Sequence, residues 1–187
     1  MALISEAYRA QNAALHRERP DYGAHAATAW GDWVRRVARA HGCASILDYG
    51  CGKATLGAML TADGFAVQNY DPAVDAFAAP PQPADLVVCN DVLEHIEPDC
   101  IDDVLADIAR LSRRLAVLTV ATVPAAKTLS DGRNAHLIVQ PLEWWLSRLF
   151  AHFRMVYAQR DDSGAASAMV LEPNSVPDPR AGRTADH

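Results

Sequence analysis

Asp91, Glu94 and His95 fall at i, i+3 and i+4. One helical turn over 91–96 would project all three to one side, aiming two carboxylates and an imidazole at a common point. Residues 85–109 hold eight acids and no lysine or arginine. Carboxylates crowded in this way repel unless something positive sits among them. A divalent cation is one candidate, and mixed carboxylate and imidazole ligands suit Mg, Mn, Fe or Zn. Such a cation would bind an oxygen, lower its pKa and make it a better nucleophile.

A second constellation lies upstream. Ile46-Leu47-Asp48-Tyr49 is a short apolar run ending near an acid, and Gly50-Cys51-Gly52 follows. A strand, a glycine turn and a helix start in that order suit a nucleotide-like cofactor. Glycines at 50 and 52 permit the turn and a close backbone approach. The helix start is expected to offer free N–H groups to an anion. Phe65–Tyr70 reads as a second strand that ends in Asp71, an acid placed to take ribose hydroxyls. Strand-end acids also cap neighbouring helices.

Taken together, Leu47-Asp48-Tyr49-Gly50-Cys51-Gly52, then Tyr70-Asp71-Pro72, then Asp85-Leu86-Val87-Val88-Cys89-Asn90-Asp91-Val92-Leu93-Glu94-His95-Ile96 resemble class I S-adenosylmethionine (SAM) dependent methyltransferases. The resemblance covers roughly residues 44–171. It implies a Rossmann-like α/β fold with a mostly parallel, twisted sheet and an antiparallel last strand. It gives SAM contacts to Asp48, Gly50, Cys51, Gly52, Asp71, Pro72, Asn90 and Asp91. It also turns His136, in the polar loop Asp131–His136, toward the same pocket. Asp91, Glu94, His95 and His136 then resemble the ligand pattern of two metal-dependent groups. One methylates catechol-type hydroxyls and the other the 3′-terminal ribose of small RNAs. Many relatives carry Leu-Glu-His without a metal; His95 or His136 is then the general base, and Glu94 orients substrate or loop. Arg133, Asn134 and Trp144 are expected to contact the acceptor.

The elements that must position these residues follow from periodicity. Helices are expected over 2–16 and 24–40, the second with Trp30, Trp33, Val34, Val37 and Ala38 on one face. Strands at 44–49, 65–70, 85–89 and 114–121 alternate with helices at 53–62, 99–112 and 141–150, which implies a doubly wound sheet. Residues 153–158 and 166–171 read as a closing hairpin. Only 13 residues, rich in proline, separate Asp71 from Asp85. A helix, a strand and a second helix cannot fit there, so the third, edge strand of the resembled fold is expected to be reduced or missing. Ala54, where the family often has a third glycine, is expected to fit a helix start. Tyr22 and Gly23 are expected to reach the donor from the N-terminal helices; His16 and His25 are expected at the surface.

The division read from this pattern is an N-terminal helical cap (1–43), a SAM-binding core (44–172) and a disordered tail (173–187). The 187 residues are 50% hydrophobic, enough for one sizeable core. The net charge of −6 argues against a nucleic acid held by charge alone. Four cysteines without a Cys-x-x-Cys pair are read as reduced, in a cytoplasmic protein without a signal peptide or membrane span. The leading expectation is O-methylation of a small molecule (a sugar, nucleoside or phenolic metabolite) by a monomer or homodimer. The alternatives are a 2′-O-methyltransferase for an RNA 3′ end and a non-catalytic SAM-binding scaffold subunit.

Overall fold

The computed structural model describes residues 2–161 and 164–174. Two helices, α1 (Glu6–Glu18) and α2 (Ala26–Ala40), precede the sheet. Strand β1 (Ser45–Tyr49), helix α3 (Thr55–Ala62), strand β2 (Ala66–Tyr70), strand β3 (Ala84–Asn90), helix α4 (Ile101–Leu111) and strand β4 (Ser112–Ala121) follow. Helix α5 (Leu142–Leu149) leads into β5 (Phe153–Arg160) and β6 (Ala166–Pro173). The strands lie in the order β2-β1-β3-β4-β6-β5. β2, β1, β3 and β4 pair in parallel, and β6 runs antiparallel to both β4 and β5. The expected fold is therefore observed, with β2 at the edge where a further strand would have paired.

Burial explains the pattern. Ile46, Leu86, Val88 and Val117 face one side of the sheet and pack with Val34, Leu56 and Leu60 of α2 and α3. Leu47, Val87, Cys89, Ala116 and Leu118 face the other, against α4, α5 and Trp145. Two-sided coverage makes the parallel strands continuously apolar rather than alternating. Each fully buried aliphatic side chain contributes about 1.5–3 kcal/mol relative to exposure.

The 72–83 segment has one 3₁₀ turn, Asp75–Phe77, in place of the missing elements. It stays against β2 through the Gln82 amide, which donates to Gln68 Oε1 at 2.9 Å. Pro80, Pro81 and Pro83 have no N–H with which to extend the ladder. The first two residues of the tail read as 173–187 belong to the fold. Pro173 closes β6, and the Asn174 amide donates to the His152 carbonyl at 2.8 Å. Residues 175–187 lie outside the described residues.

Candidate active site

An open cavity lies at the carboxyl ends of β1 and β3. Gly50, Gly52, Asp71, Pro72 and Asp91, all expected to contact SAM, line it. Gly50 has φ +79°, and a Cβ there would meet Val92 Cγ2 at 2.5 Å. Gly52 has φ +52°, and a Cβ would meet the Gly23 carbonyl oxygen at 2.7 Å. Both glycines are thus demanded by a left-handed backbone and by a neighbour at contact. Ala54 adopts the same left-handed region, with φ 54° and ψ 29°, before α3 begins. Alanine is strained there, by about 1–2 kcal/mol, rather than suited to a helix start.

The amides of the turn before α3 are occupied by the protein itself. Gly50 and Cys51 donate to the Tyr70 carbonyl at 2.7 and 3.0 Å, Gly52 donates to Asp71 Oδ2 at 3.1 Å, and Lys53 donates to the Gly23 carbonyl at 3.0 Å. Asp71 also accepts from the Ala73 amide at 2.9 Å. His16 Nε2 stands 3.7 Å from Asp71 Oδ2. Burial holds the His16 imidazole below its ordinary pKa despite the pull of Asp71, so a neutral ring faces the carboxylate.

Asp48, Cys51 and Asn90 lie buried and do not line the cavity. Burial raises Asp48 to about 7 although the Gly57 amide donates to it. Both polar atoms of the Asn90 side chain are buried without a partner.

The expected common face of Asp91, Glu94 and His95 does not form. Asp91 has φ +53°, and the 3₁₀ turn spans only Leu93–His95. The three side chains consequently diverge. Asp91 Oδ1 accepts from Thr119 Oγ1 at 3.1 Å. Glu94 is fully buried, and its Oε1 accepts from the Ala121 amide at 2.8 Å. Burial, then the charge of Asp91, raises Glu94 to about 8. His95 Nδ1 lies 2.8 Å from the Ala135 carbonyl and His136 Nδ1 lies 2.6 Å from the Val123 carbonyl. The two rings meet edge to face at 4.8 Å.

The four expected metal ligands do not fit a metal. Their side chains diverge, and among the described residues no three His, Cys, Asp or Glu side chains are grouped to hold one. Several of the acids that crowd the sequence have structural work. Asp85 accepts from the Ala44 and Ser45 amides, Glu97 holds Ser5, and Asp107 accepts from the Tyr49 hydroxyl at 3.1 Å.

The expected acceptor residues are also placed elsewhere. Arg133 pairs with Asp131 at 2.7 Å. Asn134 clasps its own loop, accepting from the Ala125 and His136 amides and donating to the Ala125 carbonyl. Trp144 sits on α5 beneath the Arg148 guanidinium, 3.8 Å from its ring centroid, and none of the three lines the cavity.

The residues that sequence reasoning missed come from the N-terminal cap. Tyr8, Asn12 and His16 line the cavity together with Tyr22, so His16 is not a surface residue. The available signal was their i, i+4, i+8 spacing along α1, a stripe too polar to read as a core face. His25 is exposed, as expected.

The chain matches the methyltransferase-domain family over residues 22–161. It belongs to the class I SAM-dependent methyltransferases. Its fold is shared with 1,6-didemethyltoxoflavin N1-methyltransferase of Burkholderia thailandensis, solved with 1,6-didemethyltoxoflavin and S-adenosylhomocysteine (SAH). The TM-score is 0.64 and the identity 21%, covering 89% of this chain and 87% of that one. The N-methyltransferase NodS of Bradyrhizobium japonicum WM9, solved with SAH, gives a TM-score of 0.60 at 13% identity, covering 89% and 98%. Magnesium protoporphyrin IX methyltransferase of Synechocystis PCC 6803, also with SAH, gives 0.57 at 15%, covering 93% and 90%. At these identities the likeness is one of fold. No curated protein matches the methyltransferase in sequence. No helix among its described residues is long and apolar enough to cross a membrane.

Proposed function

We propose that this methyltransferase transfers the SAM methyl group to an oxygen of a small-molecule acceptor, within a core (44–172) covered by the N-terminal cap (1–43). The donor lies over Gly50 and Gly52 with its ribose on Asp71. The Asp91 carboxylate, which lines the cavity, supports placing the methionine end beside it.

One observation carries the acceptor side. The Ala135 carbonyl can only accept, so His95 Nδ1 carries the proton and Nε2 keeps a lone pair, on a ring that lines the cavity. Burial, reinforced by His136, lowers His95 to about 4, so the imidazole is neutral at physiological pH. Such a group is a weak base toward a resting hydroxyl. As the methyl carbon leaves sulfur and bonds oxygen, however, that oxygen becomes an oxonium. Its proton then passes downhill to His95 Nε2 and on to water. The products are the methyl ether, SAH and one proton. Alignment in line with the carbon–sulfur bond supplies much of the remaining acceleration.

An RNA acceptor is disfavoured by the net charge of −6 and by a cavity wall without lysine or arginine. A nitrogen acceptor uses the same geometry and is the competing outcome. The test is SAH release across phenol, hydroxyl and ring-nitrogen acceptors, with SAH titrated calorimetrically. SAH heat plus turnover that survives a chelator is expected. No heat from SAM or SAH on folded protein overturns the proposal, and turnover on nitrogen alone overturns its oxygen assignment. A chelator that abolishes turnover overturns the metal-free route.

A further inference from the structure

The outer half of the cavity is walled by side chains of α1 and the loop after it. Their polar tips are already used. The Tyr22 hydroxyl donates to Asn12 Oδ1 at 2.9 Å, Asn12 Nδ2 donates to the Tyr8 carbonyl at 3.2 Å, and the Tyr8 hydroxyl donates to the His95 carbonyl at 2.8 Å. This relay ties the cap to the residue that orients the acceptor, and it leaves ring surface rather than hydroxyl groups for a ligand. The rings stand at steep angles to one another. Tyr22 meets His16 at 4.8 Å and 63°, and His95 at 6.5 Å and 82°. A corner of crossed rings favours a flat aromatic guest through edge-to-face and stacked contacts.

Charge points the same way. The fully charged side chains that line the cavity are Asp71 and Asp91. Both suit a donor that carries one net positive charge. No lysine or arginine lines the cavity, and the nearby cations already have partners: Lys53 the His16 carbonyl, Lys127 Asp21 and Arg133 Asp131, with Lys127 5.6 Å from the centre of the Tyr22 ring and Arg133 5.8 Å from that of Tyr8. A carboxylate or phosphate on the acceptor would face two carboxylates, and the nearest cations, Lys127 and Arg133, are already neutralised by Asp21 and Asp131. A polyhydroxylated acceptor would find the tyrosine hydroxyls taken.

We propose that the acceptor is an uncharged, flat aromatic or heteroaromatic molecule, and that Tyr22 is the residue that selects it. This inference rests on the methyl-transfer reading above and specifies its substrate class.

The test uses the whole protein saturated with SAH and ligand-observed saturation-transfer NMR. The probes are catechol and 3-hydroxypyridine, the saturated counterpart cyclohexane-1,2-diol, and the anionic counterparts 3,4-dihydroxybenzoate and phenyl phosphate. The two neutral rings should bind, and the saturated and anionic probes should bind at least about tenfold more weakly. Tyr22→Leu keeps apolar bulk without a ring and should weaken the rings about tenfold, whereas Tyr22→Phe should retain them. SAH affinity should stay within about threefold in both variants, which also reports that they fold. Equal or tighter binding of the anionic or saturated probes, no binding of either neutral ring, or indifference to Tyr22→Leu overturns the inference while leaving methyl transfer standing. Failure of the unaltered protein to bind SAH brings down the methyl-transfer reading instead, and this inference with it.

Discussion

The two halves of the cavity are held by different kinds of interaction. The glycine-turn half is backbone-made and local: the amides of residues 50–52 close onto Tyr70 and Asp71 at the end of the adjacent strand. The cap half is made of side chains from distant segments: Tyr8, Asn12, Tyr22 and His95, with Ala135 behind. Backbone hydrogen bonds leave little freedom to change the first half without breaking the turn. Side-chain contacts leave the second half open to substitution while β1, β2 and the turn persist. On this arrangement, donor geometry is fixed and acceptor choice is adjustable.

The largest effect should come from the fixed half. Gly50→Val drives a branched Cβ into Val92 at a φ of +79°. Overpacking and left-handed strain together should cost about 2–5 kcal/mol and lower Tm by roughly 5–15 °C. SAH binding should weaken by more than about 100-fold, measured by calorimetry. Retained binding would mean that the turn does not shape the donor site.

His95→Gln probes the adjustable half. Turnover should fall about 10²–10³-fold with SAH affinity unchanged, a split read from kcat and Kd. Because burial lowers His95 to about 4, the unaltered enzyme should show no loss of rate from its protonation between pH 7 and pH 5. A rate limb near the ordinary histidine value would show that the ring is not desolvated.

A smaller effect is expected where the two halves meet. Glu94 is raised from 4.5 to about 8 by burial and then by Asp91. A folded-state pKa above the unfolded one means that its stabilisation is fully present below pH 4.5 and is lost as pH rises through about 8. Asp48, raised to about 7, acts with the same sign. Glu94→Gln should therefore make the fall in Tm between pH 5 and pH 8.5 shallower, by about 2–4 °C for each kcal/mol relieved. Parallel Tm profiles would show that Glu94 ionises in the folded protein without cost.

The smallest effect should come from Ala54→Gly. Release of the left-handed strain at φ 54° should raise Tm by about 2–4 °C. A lowered Tm would show that the gain is outweighed by glycine's freedom in the unfolded chain.

Much of the fold was legible because its signals are local. The apolar run at 46–49, the glycine turn, and the apolar spacing of α4 specify their elements within a few residues. The stretch of 13 residues between Asp71 and Asp85 is too short for a helix, a strand and a second helix, so the lost edge strand could be counted out directly. The candidate site was legible only where it coincides with the turn. Spacing alone aligned Asp91 with Glu94 and His95, whereas the left-handed backbone at Asp91 separates them. Eight acids near in sequence suggested a cation, whereas Asp85, Glu94, Glu97 and Asp107 accept from separate donors within the chain. His16 was signalled only by its i, i+4, i+8 spacing with Tyr8 and Asn12, and its place 3.7 Å from Asp71, far along the chain, was not legible.

The sequence by itself determined the alternation of strands and helices, the glycine bend and the acid at the end of β2, since these follow from backbone conformation and nearest-neighbour periodicity. Only the tertiary structure decided which nitrogen of His95 holds the proton, why Glu94 stays buried and which rings line the cavity. Those properties arise from carbonyls, charges and surfaces contributed by remote parts of the chain, and no local pattern encodes their direction.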